Sequence, residues 1–319
     1  MKKLMAAIAL MTALACAATA CKAPQAPAVN EPAAFAVVRE EGGPERYAAA
    51  ESAAPAFDAS RSITVVARED GSGTKSAFME LIGLKGKPDP ENVIIQTGTA
   101  GILAEVKGNP AAIAYESLGY VTADVKMLKV DGAEASVENI KTGAYKLARP
   151  LSVVFREQTL DNAVNRAFLN FLHSGDAQAI IAGEGYVPVV DNAEAYAADD
   201  ALTGTIHISG STSLKPLMDE LVKRFMDLQP GVTVNVGGGG SGQGYSDAQE
   251  GVSEFGMISE EFRAEKAPAC VSYMVCKDGV AVIVHRDNPL ESITPEQLKR
   301  LYDAEAGADA IVLWAELLG

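Results

Sequence analysis

Apolar and polar residues follow two alternating patterns over most of the chain beyond residue 60. Short β-branched runs such as Ile63 to Val66 are typical of buried strands, and Val232 to Val236 alternates like a half-buried strand. Between such runs the apolar residues are spaced for one helix face, most clearly over 214–225, where Pro216 lies in the first turn. The alternation predicts an α/β fold with parallel sheets. The roughly 260 residues after position 60 suffice for one large or two medium lobes.

One polar stretch, residues 68–75 with the sequence REDGSGTK, separates the first strand-like run from a helical pattern. A strand that ends in a Gly/Ser/Thr turn before a helix leaves backbone N–H groups free, with the positive end of the helix dipole behind them. Arg68 adds a planar cation suited to a tetrahedral oxyanion, and Asp70 could hold its guanidinium in place. The stretch therefore predicts an anion site. The alternative is an ordinary turn whose hydroxyls only cap the helix.

Three further Gly/Ser/Thr segments, at 96–101, 210–213 and 237–244, repeat this design. A fourth strand-like run, 255–259, is followed instead by the carboxylates Glu260 and Glu261. Open α/β sheets bind ligands at the carboxyl ends of their strands. We therefore expect the N–H and O–H donors of these loops to converge on one cleft.

The first 60 residues have a different composition. Two lysines and an apolar run that ends at Ala20 are typical of a secretory signal rather than a membrane-spanning helix. Residues 18–21 (ATAC) resemble a bacterial lipobox, so we predict a lipoprotein signal peptide at 1–21, with lipidation of Cys21. Cys16 is a second candidate, and a plain cleaved signal is the alternative. Residues 22–60, rich in Ala, Pro and Glu, are predicted to be a tether between the lipid anchor and the folded body.

Charge and motif spacing argue against several functions. The formal net charge is −15, or −17 without the two signal-peptide lysines, which disfavours nucleic-acid binding. No Gly-Lys-Ser/Thr of a Walker loop and no Gly-x-Ser-x-Gly nucleophile elbow occurs, and the three histidines lack metal-ligand spacing. We therefore expect no catalytic residue, no metal and no cofactor.

Cys270 and Cys276 remain in the exported chain and could pair in an oxidising compartment. If the five residues between them form one extended strand, the two lie on the order of 20 Å apart, beyond disulfide reach. Pairing therefore depends on a turn between them.

Several motifs together resemble the phosphate-binding lipoprotein of bacterial phosphate ABC importers. The resemblance is carried by GSTS at 210–213 with Pro216, the Gly-rich loop ending at Ser241, FGMIS at 255–259, DGVAV at 278–282, Trp314, REDGSGT at 68–74, YKLARPL at 145–151 and GYVP at 185–188. It covers nearly everything after the tether. It implies a two-lobed class II periplasmic-binding-protein fold, with a hinge and an interlobe ligand cleft that closes on inorganic phosphate.

The order of these motifs departs from the usual order of that family. There the GSTS turn comes first and the REDGSGT loop comes later, whereas here the loop comes first. The simplest interpretation is a circular permutation, with the old termini joined near 195–205 and new ones opened in one lobe. One lobe would then combine residues 61–147 with 279–319, and the other would be 148–278, with crossovers near 145–150 and 276–280. The alternative is a fragment, or half of a tandem array.

Residue by residue, the resemblance implies phosphate contacts from both lobes, with Asp70 orienting Arg68. Some relatives have an aspartate where this chain has Ser259; that carboxylate accepts the proton which phosphate retains and sulfate lacks. Glu260, Glu261 or Asp70 could supply the acceptor instead, so the acceptor stays unassigned and selectivity for phosphate over sulfate stays open. The implied contacts are Arg68, Ser72, Gly73, Thr74, Thr212, Ser213, Ser241 and Ser259.

The function implied is a monomeric, extracytoplasmic solute-binding lipoprotein, at the cell surface or in the periplasm. It captures inorganic phosphate and delivers it to ABC permease subunits, held to the membrane by its N-terminal lipid anchor. A receptor for another oxyanion, such as sulfate or molybdate, shares every donor. A phosphoester hydrolase is a more distant alternative, and so is a structural or signalling lipoprotein that has lost binding.

Overall fold

The computed structural model describes residues 57–319. The predicted signal peptide, Cys21 and most of the predicted tether lie outside the described residues. The last residues of that tether do contact the folded body, because Phe57 packs edge-on against Trp314 and Arg61 accepts a backbone hydrogen bond from Trp314. Within residues 57–319 no helix combines the length and the apolar character that crossing a membrane requires.

Strands and helices alternate along the described chain, as the hydrophobic pattern predicts. The strands are β1 (Thr64–Arg68), β2 (Ile94–Gln96), β3 (Ala112–Ser117), β4 (Val125–Met127), β5 (Lys129–Val130), β6 (Ala148–Arg156), β7 (Gly204–Gly210), β8 (Val232–Gly239), β9 (Phe255–Ile258), β10 (Cys270–His285) and β11 (Ser292–Ile293). The α-helices are α1 (Gly73–Leu81), α2 (Gly98–Gly108), α3 (Val137–Thr142), α4 (Ala163–His173), α5 (Gly175–Gly183), α6 (Lys215–Leu228), α7 (Ser241–Glu250), α8 (Pro295–Tyr302) and α9 (Ala315–Leu318). Short 3-10 turns lie at Leu118–Tyr120, Glu157–Asp161 and Gly307–Asp309.

The main sheet is mixed rather than wholly parallel. Its order is β2-β1-β3-β10-β6-β9-β7-β8, and β4 also pairs with β10. The pairs at both ends are parallel, as predicted, whereas β10 runs antiparallel to β3, β4 and β6, and β6 runs antiparallel to β9. The 16-residue β10 thus crosses the middle of the sheet in the opposite sense to its neighbours.

The buried apolar side chains form two large clusters. The first, here called the first core, draws on residues between 66 and 147, on Val187 and on residues between 280 and 317. The second core draws on residues between 151 and 276. A small third cluster packs Tyr245 and Ala248 of α7 against β6 and β9. Because β6 and β10 contribute to the packing at the middle of the sheet, they connect the two large cores.

Both cysteines of the described chain are free. Cys270 and Cys276 are buried on the single strand β10, although a bulge interrupts its pairing with β6 between Met274 and Cys276. The strand therefore keeps the two sulfurs unpaired, as the extended alternative requires. Burial raises the pKa of the Cys276 thiol well above its ordinary value.

Candidate functional site

The polar loops meet at the carboxyl ends of the strands, as the sequence predicts. Arg68 is the last residue of β1, and Ser72 caps α1 by accepting a hydrogen bond from the Lys75 N–H at 3.3 Å. In the second core, Gly210 ends β7 before α6, and Ser241 begins α7 directly after the Gly-rich end of β8. Each loop thus places donors at the same edge of the sheet.

Arg68 lies at the centre of this cluster and is almost fully buried, with 1% of its side chain exposed. Its Nε and Nη2 donate to the two carboxylate oxygens of Glu69 at 2.9 and 3.1 Å. Nη1 donates to Glu116 Oε2 at 3.1 Å, and Nη2 also donates to Thr212 Oγ1 at 2.8 Å. Burial opposes the charge, yet the hydrogen bond to Glu69 and the two carboxylates outweigh it and raise the pKa of the guanidinium.

The prediction that Asp70 orients Arg68 is wrong. The Asp70 side chain is 99% exposed and accepts a hydrogen bond from Lys75 Nζ at 2.7 Å. Gly71 follows with a φ of +84°, so the chain turns there and leaves Asp70 facing solvent. Glu69, one residue earlier, takes the orienting role and also accepts the Gly98 N–H at 3.1 Å.

Two pairs of hydroxyl groups complete the cluster. Thr74 Oγ1, at the start of α1, lies 2.7 Å from Ser213 Oγ, in the loop between β7 and α6. Ser241 Oγ lies 3.3 Å from Ser259 Oγ and accepts the Ser259 N–H at 3.0 Å. All four side chains are buried. Hydroxyls both donate and accept, so each pair can turn toward the oxygens of a ligand.

The two sides approach closely at two points. The Gly242 N–H donates to the Gly71 carbonyl at 2.9 Å. A Cβ on Gly73 would collide with Ser241 Oγ and lie 2.7 Å from Ser259 Oγ. Gly73 is therefore the position at which α1 touches the loops of the second core.

The structure adds two residues that the sequence analysis did not propose, Thr99 and Glu116. Glu116, on the fully buried strand β3, contacts Arg68 and accepts the Ser117 N–H at 2.8 Å. Burial raises the pKa of its carboxyl, against the lowering influence of Arg68. Thr99 Oγ1 lies 3.5 Å from Arg68 Nη1. A charged residue directly after the buried strand-like run 112–115 was the signal that could have identified Glu116.

The two glutamates proposed as substitute acceptors lie elsewhere. Glu260 is buried but bonds to Lys266 Nζ at 2.6 Å, with Arg263 Nε at 3.5 Å. Glu261 is exposed. Neither carboxylate has a hydrogen bond to the hydroxyl pairs or to Arg68 in the described part of the chain.

A second buried ion pair lies next to the cluster. Arg149 on β6 donates from Nε and Nη2 to Asp278 Oδ2 on β10, at 3.1 and 2.9 Å. Its Nη1 donates to the Ser259 carbonyl at 3.1 Å, and Ser117 Oγ donates to Asp278 at 2.8 Å. The pair thus joins the two central strands to the end of β9, where Ser259 lies.

Comparisons with known proteins agree with one another. Residues 52–176 and 195–316 match the model of the PBP superfamily domain. Phosphate-binding protein PstS 2 of Streptococcus agalactiae is 32% identical over 264 residues, which cover 80% of this chain and 87% of that protein. The protein of the same name from Streptococcus pneumoniae is 31% identical, with 80% and 89% coverage. This chain belongs to the PstS family of the PBP superfamily.

The fold of this PstS-family chain has a solved counterpart. The crystal structure of a phosphate ABC transporter phosphate-binding protein from Streptococcus pneumoniae matches with a TM-score of 0.65 and 30% identity, over 80% of this chain and 99% of that one. The two-lobed α/β fold of a periplasmic binding protein, expected from the resemblance, is confirmed.

Proposed function

We propose that this chain binds inorganic phosphate between its two cores and delivers it to an ABC importer. The observation that carries the proposal is the meeting of donors from two sides. One side is β1 and α1, which pack in the first core, and the other is the loop between β7 and α6, which pack in the second. Arg68 Nη2 donates to Thr212 Oγ1 at 2.8 Å, and Thr74 Oγ1 lies 2.7 Å from Ser213 Oγ. The names of the relatives, phosphate-binding protein PstS 2, support phosphate as the ligand.

Phosphate binding would replace the contacts that these donors now make with one another. Every N–H of Arg68 has an acceptor in the structure, and the weakest of these bonds are those to hydroxyls. Phosphate oxygens would take the place of Thr212 on Nη2, while Glu69 keeps the guanidinium in place. The hydroxyls of Thr74, Ser213, Ser241 and Ser259 and the N-terminal N–H groups of α1 would supply further bonds.

We propose that the two cores belong to two lobes, one of residues 61–147 plus 279–319 and one of residues 148–278, with Val187 of the second lobe packing against the first core. Their crossovers near 145–150 and 276–280 include the start of β6 and part of β10, and these two strands would act as the hinge. Ligand bonded to both lobes stabilises the closed form, which a permease can then recognise. We further propose that circular permutation produced the order of the lobe segments.

The proposed setting is extracytoplasmic. Residues 1–21 would direct export, and lipidated Cys21 would anchor a monomer to the membrane through the tether. The family of solute-binding proteins and the arrangement of hydroxyls around one arginine fit capture of a small anion without turnover.

Calorimetry of the full chain in detergent tests the proposal, after a phosphate-consuming enzyme has removed carried-over ligand. We expect saturable phosphate binding and no hydrolysis of a generic phosphomonoester. Equal binding of phosphate and sulfate would make the chain a general oxyanion receptor. Phosphomonoester turnover would indicate a hydrolase, and a folded chain that binds neither anion would contradict the proposal.

Gly73→Ala is expected to weaken phosphate binding by about 10- to 100-fold, because overpacking of about 1–3 kcal/mol opposes closure. The added methyl group would meet Ser241 and Ser259. The matched control is Gly108→Ala, also in a helix, where a Cβ meets nothing within 4 Å. Calorimetry should find wild-type affinity for the control; an equal loss in both variants would contradict a close approach at Gly73.

A further inference from the structure

Glu116 is a carboxylate in a place where an anion site would ordinarily exclude one. It is fully buried, at 0% exposure, near the end of β3 between β1 and β10. Its Oε2 accepts from Arg68 Nη1 at 3.1 Å. Its Oε1 accepts from Ser213 Oγ at 3.4 Å, and Ser213 is the partner of Thr74. One carboxylate therefore contacts both the arginine and the hydroxyl pair of the proposed phosphate site.

The need to balance the charge of Arg68 does not explain why Glu116 is buried at this place. Glu69 already binds the guanidinium through two hydrogen bonds at 2.9 and 3.1 Å. Asp278, another buried carboxylate nearby, has its own cation in Arg149. Arg68, Glu69 and Glu116 together carry a net charge of −1. An excess buried negative charge is costly beside a second anion, unless that anion supplies a proton to be shared.

Phosphate supplies such a proton and sulfate does not. Near neutral pH phosphate retains at least one O–H, which can donate a short, charge-assisted hydrogen bond to a carboxylate. A fully deprotonated oxyanion offers only lone pairs to the same carboxylate, and desolvated like charges then face each other. The carboxylate thus distinguishes two tetrahedral anions of similar size.

We propose that Glu116 accepts the hydrogen bond from the protonated oxygen of bound phosphate, and so disfavours sulfate. The inference rests on the proposed function. The proposal assigns the acceptor that the sequence analysis left open. Ser259 is uncharged, and Glu260 and Glu261 do not contact the hydroxyl pairs. Ser213 moves from Glu116 to the ligand when the phosphate O–H takes its place on Oε1.

The test is Glu116→Gln in the full chain, titrated with phosphate and with sulfate by calorimetry. Glutamine keeps the shape but removes the negative charge, so the preference for phosphate over sulfate should fall by about 10- to 100-fold. The matched control is Glu69→Gln, which removes a carboxylate from the same arginine but has no contact with Ser213. This control should weaken the binding of both anions and leave the ratio of phosphate affinity to sulfate affinity within about twofold of wild type.

Four outcomes would overturn the assignment or its basis. An unchanged ratio in E116Q shows that Glu116 is not the acceptor. An equal change in E116Q and E69Q shows that net charge alone sets the ratio. If the wild-type chain does not bind phosphate, the result contradicts the proposed function on which the assignment rests. If E116Q does not fold, a crystal structure of the wild-type phosphate complex tests the assignment. A carboxylate oxygen of Glu116 should lie about 2.5–2.7 Å from a phosphate oxygen. A separation beyond about 3.5 Å contradicts the proposal.

Discussion

Arg68→Ala is expected to lower phosphate affinity by about 100-fold or more, because the charge-assisted hydrogen bonds of its guanidinium are lost. The substitution also leaves Glu116 buried without its cation. Removal of one partner of a buried ion pair costs about 3–5 kcal/mol, so the free energy of unfolding should fall by that amount. Calorimetry measures the first effect and urea denaturation the second.

The double variant R68A/E116Q separates the two effects of this substitution. Glutamine removes the uncompensated charge, so the double variant should regain most of the lost stability while phosphate binding stays weak. If R68A alone keeps near-native phosphate affinity, Arg68 is not a ligand-binding residue. If the double variant is no more stable than R68A, Glu116 is not the source of the instability.

Asp278→Ala is expected to lower the free energy of unfolding by about 3–5 kcal/mol, because it leaves the Arg149 guanidinium buried and without a counter-charge. Both side chains are 1% exposed, so solvent does not screen the charge that remains. The loss should appear as a lower urea midpoint with an unchanged dependence on urea concentration.

The control for this ion pair replaces both partners with apolar residues, as R149M/D278L. Buried ion pairs exchanged for apolar residues of similar volume often leave stability unchanged or improve it. We expect the double variant to be more stable than D278A. A single variant within about 1 kcal/mol of wild type would show that the guanidinium finds another partner or reaches water.

The local sequence does not determine whether Glu69 or Asp70 bonds to Arg68. Two carboxylates flank the same turn at 69 and 70, and either spacing permits a bond to Arg68. The choice depends on the backbone turn at Gly71, with φ +84°, and on the Gly98 N–H, which holds Glu69 from the next loop. Neither constraint is visible in the local sequence.

The antiparallel pairs of the main sheet also could not be predicted from the local sequence. Each βα unit at the ends of the sheet is local, so hydrophobic periodicity predicts it, together with the parallel pairing of β1 with β3 and of β7 with β8. The antiparallel pairing of β6 with β10 joins strands more than 100 residues apart, from Arg156–Cys270 to Ala148–Gly279. Local patterns do not encode the relative direction of two such strands.

The sequence by itself determined the α/β class, the alternation of strands and helices after residue 60, the polar loops at the strand ends and the family. These properties depend on neighbouring residues, through side-chain periodicity, helix capping and turn chemistry. Only the tertiary structure decided which carboxylates hold Arg68, how closely Gly73 meets Ser241, and that Glu116 is in the site. Those contacts join residues 48 positions apart, as for Arg68 and Glu116, or 144 apart, as for Arg68 and Thr212. Their partners are set by the packing of the whole sheet, because a buried charge requires whichever counter-charge the fold brings within reach.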